Sequence, residues 1–244
     1  MKGKINVTNH IEELSLRQAA LISGIAILIM TIAAVVATDL TIGSLVVPDD
    51  ATATFNNITT SEMLFRTGIL SWIIILICDI IAAWGLYIFL KPVNASLSLI
   101  MAWLRLVYAA ILGTAILHFV DVLLLIGNDG YLTVLGSDRL QAQVLLSANG
   151  FYEQWAIGLV VFGFHILILG YLILRSDYIP KYWGILLIIA FFGYLLINLF
   201  QLLLPEYEHI RTIMGWIFII PMLSEVGLGI WLLIKGTKVA GERN

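Results

Sequence analysis

Four ionisable residues lie inside long apolar runs of this chain, where each costs about 2.5–3.5 kcal/mol unless it meets a partner or a water-filled cavity. They are Asp79, Arg105, His165 and Glu225. An acid pair, a guanidinium and an imidazole are the parts needed to hold and pass a proton, or to grip a polar ligand, away from water. Counted from the basic ends of their runs, Asp79 stands 11 residues before Leu90 and Arg105 stands 10 after Ala95. His165 and Glu225 each stand 10 before Arg175 and Lys235. At about 1.5 Å per helical residue, all four reach a depth of roughly 15 Å, the middle of a bilayer core about 30 Å thick. A single shared polar layer is the expectation.

Charge counting sharpens it. With both carboxyls ionised and His165 neutral, one negative charge is left over, so either His165 is cationic or one carboxyl keeps its proton. The fifth apolar run adds Tyr194, Asn198 and Gln201 on one helical face, which would extend the layer outward. Glu62, Arg66, Glu153 and Gln154 fall near run ends and would make an outer gate or plain surface pairs. Pro221, Glu225 and Gly229 recur every four residues, and a proline there frees the carbonyl of Ile217. Gly158, Gly163 and Gly170 surround His165 with small residues that favour close helix packing.

The elements that must carry these residues follow from composition. The chain has 244 residues, 61% hydrophobic and 12% charged, with a mean hydropathy of +1.00. Several runs exceed the roughly 20 residues needed to span a bilayer, and none alternates with period two. An all-α bundle of six transmembrane helices is therefore predicted, as one integral membrane domain over residues 1–244, with spans at 18–40, 63–90, 95–127, 151–175, 181–204 and 213–235. The first run is longer than a signal-peptide core and reads as an uncleaved helix. Lys2, Lys4, Arg17, Lys91, Arg175, Lys181, Lys235, Lys238 and Arg243 fall on one side, which places both termini in the cytoplasm. The third span is too long to stand upright and carries His118 and Asp121 at its outer end. Residues 137–147 read as a short interfacial helix, with Leu140, Val144 and Leu145 turned to lipid. Trp155, Tyr178, Tyr182, Trp183 and Trp231 read as interfacial anchors.

Several classes are excluded or left without support. No basic cluster is large enough to follow a phosphate backbone, so no nucleic acid is expected. Cys78 is the only cysteine and cannot form an internal disulfide. His165 has no second His at helical spacing, and His118 lies at another depth, so neither a metal site nor a haem is expected, and no cofactor. The sequence has no Ser/His/Asp order and no HExxH helix.

The combination Phe65-Arg66-Thr67-Gly68-Ile69, Asp79, Leu86-Tyr87 and Lys91-Pro92-Val93 carries a resemblance. It continues through Arg105, Phe162-Gly163-Phe164-His165, Gly170-Tyr171-Leu172, Ser176, Gly193-Tyr194-Leu195, Pro205, Pro221, Glu225 and the closing Trp231 to Gly236. Together they resemble domain of unknown function 4386, a family of bacterial multi-pass membrane proteins. The resemblance implies a multi-helix protein of the bacterial inner membrane whose family pattern includes the Asp79, Arg105, His165 and Glu225 positions. It implies no substrate, cofactor or reaction.

Three functions remain. The leading one is a transporter-like bundle that binds a proton or a polar or amphipathic small molecule at midplane, with Asp79 and Glu225 as exchangeable acids, Arg105 as their counter-charge and His165 as relay. Six helices without an inverted repeat would then work as a homodimer. The second is a lipid-modifying intramembrane enzyme with Glu225 or His165 as acid/base and Arg105 holding an anionic headgroup. In the third, a structural or sensory partner, the polar network only fixes the fold.

Overall fold

The computed structural model describes residues 14–203, 223–236 and 238. Among these residues the chain is all helical, without a strand. A capping box at Ser15, closed by Gln18, starts α1 (Leu16–Val35). A π-helical turn, Val36–Thr41, and a short α2 (Ile42–Leu45) prolong it. After α3 (Ala51–Thr60), capped by Asp50, come α4 (Glu62–Leu90), α5 (Ala95–Ile126), α6 (Asp129–Leu135), α7 (Ser137–Arg175) and α8 (Lys181–Leu203). Residues 223–231 are α-helical and Leu232–Gly236 form a second π-helical turn.

Five helical stretches are long and apolar enough to cross a membrane: Leu16–Leu45, Glu62–Leu90, Ala95–Ile126, Ser137–Arg175 and Lys181–Leu203. The sixth predicted span, 213–235, lies partly outside the described residues, as do Pro221, Ile217 and Pro205. Tight links at Lys91 to Asn94 and at Ser176 to Pro180 make the neighbouring helices antiparallel. Asn94 caps α5 through the amide of Leu97, and Ser98 reaches back to the carbonyl of Tyr87.

Two pairs of glycines set how closely the helices approach. A Cβ on Gly170 would lie 2.9 Å from the carbonyl oxygen of Gly184, and one on Gly184 would lie 2.7 Å from that of Gly170, so α7 and α8 cross backbone to backbone. In the same way a Cβ on Gly24 would lie 2.9 Å from the carbonyl oxygen of Gly229, which draws the C-terminal helical segment against α1. Gly236 lies beside Ala20 at the start of α1, so this segment runs antiparallel to α1.

Three readings of the sequence need correction. The fourth span does not begin at Phe151, because α7 is continuous from Ser137 and, at 39 residues, about 58 Å long. The predicted interfacial helix is the beginning of α7, and its Leu140 and Val144 are buried against protein rather than turned to lipid. The cause is α3, which packs on this part of α7 and joins it through the Thr52 hydroxyl donating to Gln141 Oε1 at 2.7 Å. Nor are all the aromatic anchors interfacial. Trp155 packs edge-on to Trp72 and donates to the Tyr108 hydroxyl, and Trp231 is buried, whereas Tyr178 stays in the link at the basic end of the bundle, where its hydroxyl donates to the carbonyl of Phe89 at 2.6 Å. A large ring beside small residues fills a gap between helices as readily as it seeks headgroups.

The Gly170–Gly184 crossing yields a prediction. Gly170→Leu forces the two backbones apart and should lower stability by about 1–3 kcal/mol, the usual cost of overpacking. Gly113→Ala, whose new methyl meets only the end of the Leu76 side chain, should leave the melting temperature nearly unchanged. Thermal unfolding of the two variants in the same detergent tests the contrast.

Candidate functional site

A guanidinium has five N–H donors in a rigid plane and no acceptor, so when buried it must find five acceptor contacts. Arg105, about a third of the way along α5, is fully buried and finds them. Its Nε donates to Asp79 Oδ1 at 2.9 Å and its Nη2 lies 2.7 Å from the same oxygen. Its Nη1 donates to His165 Nε2 at 3.2 Å and to Glu225 Oε1 at 3.3 Å. The remaining Nη2 proton points to the thioether of Met30, with Sδ 3.4 Å away. Asp79 comes from α4, His165 from α7, Met30 from α1 and Glu225 from the C-terminal segment, so five helical stretches meet on one side chain.

The imidazole is oriented from both sides. His165 Nδ1 lies 2.8 Å from the carbonyl oxygen of Met101, an acceptor, so Nδ1 carries the hydrogen. Nε2 then has a free lone pair and accepts from Arg105. This arrangement is a neutral imidazole and leaves no ring nitrogen for a further partner. It also decides the charge count: with both carboxyls ionised, Asp79 and Glu225 face one guanidinium and the cluster carries one surplus negative charge.

Exposure separates the two acids. Asp79 is 2% exposed and makes the short, doubled contact, whereas the Glu225 side chain is 14% exposed and makes the long one. Phe162 caps the group, with the Arg105 guanidinium carbon 5.2 Å from its ring centre. Tyr108 and Tyr194 pack on the same ring at 4.7 and 5.3 Å between centres. Gly158 and Gly163 make this possible, since Gly158 faces Tyr108 on α5 and Gly163 faces Tyr194 on α8.

The predicted extension divides. Tyr194 and Asn198 are buried, and the Asn198 amide donates back to the carbonyl of Tyr194 at 2.7 Å. Gln201 is further along α8 and donates to Glu153 Oε1 at 3.3 Å. The predicted outer gate is three separate pairs: Glu62 with Arg66 at 2.6 Å within α4, Glu153 with Gln201, and Gln154 with Thr114. His118 and Asp121 sit 4.0 Å apart near the end of α5, both partly exposed. Cys78 is a buried free thiol. Among the described residues no group of three or more His, Cys, Asp and Glu side chains could hold a metal ion.

Sequence reasoning missed Met30, the Met101 carbonyl and Phe162. A thioether and a phenyl ring look apolar in a sequence, and a helix carbonyl that takes a side-chain hydrogen bond has no residue-type signal. Met30 was reachable only by extending the depth count to the first run.

The family model described as domain of unknown function (DUF4386) matches residues 22–236. An uncharacterized protein from Archaeoglobus fulgidus is 30% identical over 170 residues, which is 68% of this chain and 82% of the archaeal one. No solved structure matches.

The geometry predicts non-additive stabilities. Arg105→Leu strands both acids and Asp79→Leu leaves the Nε and one Nη2 donor of the guanidinium without an acceptor, each costing about 3–5 kcal/mol, the usual result of removing one partner of a buried pair. The double variant should lose clearly less than the sum of the two. Denaturation of the three variants in one detergent supplies the cycle, and simple additivity would mean that the side chains do not interact.

Proposed function

The chain belongs to the DUF4386 family of membrane proteins, and from its polar core we propose a transporter-like protein that exchanges one proton at Glu225. The supporting observation is that a saturated guanidinium faces one more carboxylate than it can neutralise, and that the surplus carboxyl is the only partly exposed member of the cluster. Protonated, Glu225 leaves a neutral cluster. Ionised, it leaves a negative charge in a medium that penalises it, so the two states differ in how firmly the C-terminal segment is held to Arg105. Gly24 and Gly229 supply the smooth contact on which that segment would shift along α1. The basic residues Arg17, Lys91, Arg175, Lys181 and Lys235 share one end of the bundle. This supports six spans, both termini in the cytoplasm, and residence in a cytoplasmic membrane of bacterial type. A homodimer is the expected working form, because one chain without an inverted repeat lacks the second half that alternating access uses.

A purely architectural network is the competing reading, and the complete use of the Arg105 donors favours it. A lipid-modifying reading has less support, since both nitrogens of His165 are engaged.

The readings separate in the pH dependence of thermal unfolding in lipid nanodiscs. The wild-type melting temperature should change between mildly acidic and mildly alkaline pH, Glu225→Asp should keep the change and Glu225→Gln should remove it. A Glu225→Gln profile with the full wild-type pH dependence would rule out Glu225 as the exchanging group.

A further inference from the structure

The surplus charge and its surroundings name a substrate class. We propose that the Glu225 site accepts a monovalent lipophilic cation in place of the proton, so that cation and proton compete for one carboxylate. This rests on Glu225 as the exchanging acid and adds what it exchanges for.

The argument begins with charge. Asp79 is matched by Arg105 through two contacts on one oxygen, and His165 is neutral by its hydrogen bonds. Among the described residues of the cluster, ionised Glu225 is therefore the unmatched charge, and either a proton or a single positive charge restores neutrality. A divalent cation would overshoot, and an anion would add to the surplus and find every Arg105 donor taken.

The groups facing Glu225 agree. Arg105 on α5 holds it beside Asp79 from α4, His165 from α7 and the non-titrating Met30 from α1, all on the same guanidinium, and Tyr108 of α5 and Tyr194 of α8 lie near enough to interact with its charge. Arg105 is the only cation among them and is committed to its partners. Tyr108, Phe162 and Tyr194 add aromatic faces and edges, and a cation with an apolar body uses both the carboxylate and the rings.

The rim of the bundle at one end has the same sign. Where α4 and α7 begin and α5 ends, the bundle carries Asp49, Asp50, Glu62, Asp121, Asp138 and Glu153 against Arg66 and Arg139. That field concentrates cations and repels anions. Tyr194, Asn198 and the Gln201–Glu153 pair lie along α8 between this acidic end and the cluster.

The exchange balances without any other reactant: the Glu225 carboxylic acid and a free cation give the carboxylate–cation pair and one released proton. Tetraphenylphosphonium is the probe and tetraphenylborate its anionic counterpart of the same shape. With the full chain in detergent, calorimetry should show tetraphenylphosphonium binding that weakens about tenfold per pH unit once Glu225 is protonated, as linkage to one proton requires. A pH indicator in weak buffer should record one proton released per cation bound, and tetraphenylborate should not bind. Glu225→Gln should lose both signals and Glu225→Asp should retain them. Binding of tetraphenylborate alone, or tetraphenylphosphonium binding without proton release, would overturn the cation assignment. If cation binding fails while the Glu225-dependent pH profile of unfolding persists, the substrate class is wrong and the proton site stands. If that profile is also absent, the underlying reading falls as well.

Discussion

The satisfaction of one guanidinium is the constraint on which the described bundle turns. Arg105 cannot lose its charge and cannot be buried without acceptors, so the four helical stretches that surround it must present a carboxylate, an imidazole nitrogen, a second carboxylate and a thioether at fixed positions. Apolar helices in lipid have little to fix their rotation or register, because one apolar face packs against tails as well as another. A planar set of donors removes that freedom: turning α4 or α7 by one residue would take Asp79 or His165 out of reach.

Small residues are the other half of the same constraint. A side chain as short as His165 meets the guanidinium only if α7 comes close to α5, which Gly158 allows against Tyr108 and Ile111, while Gly24 with Gly229 and Gly170 with Gly184 bring the outer helices nearly backbone to backbone. Large rings then fill what remains. Phe162, Tyr108 and Tyr194 form a dry cap that strengthens the electrostatics beneath it by excluding water.

Much of this was legible in the sequence, and the illegible parts share a cause. Long uninterrupted apolar runs announce helices, and the depth of Asp79, Arg105, His165 and Glu225 follows from counting, because a helix rises by a constant amount per residue. Counting cannot say which way a side chain faces. Leu140 and Val144 form an apolar stripe that suits lipid and protein equally, and only the arrival of α3 decides between them. The α3 stretch, Ala51–Thr60, is rich in threonine and asparagine and reads as loop until Asp50 caps it and Thr54 and Ile58 are buried. Met30 and Phe162 were silent for a related reason, since their part in the polar site uses a lone pair and a ring face that the apolar alphabet does not record.

The length of α7 has a mechanical consequence. It holds His165 near one end and α3 near the other, in a single unbroken rod. A rod that pivots where Gly163 and Gly170 touch α8 moves little at the imidazole and much at Ser137, as the tip of an oar sweeps further than the hand near the rowlock. By leverage alone, a small tilt at that crossing would displace Ser137, about 29 residues or roughly 44 Å away, several times further than His165.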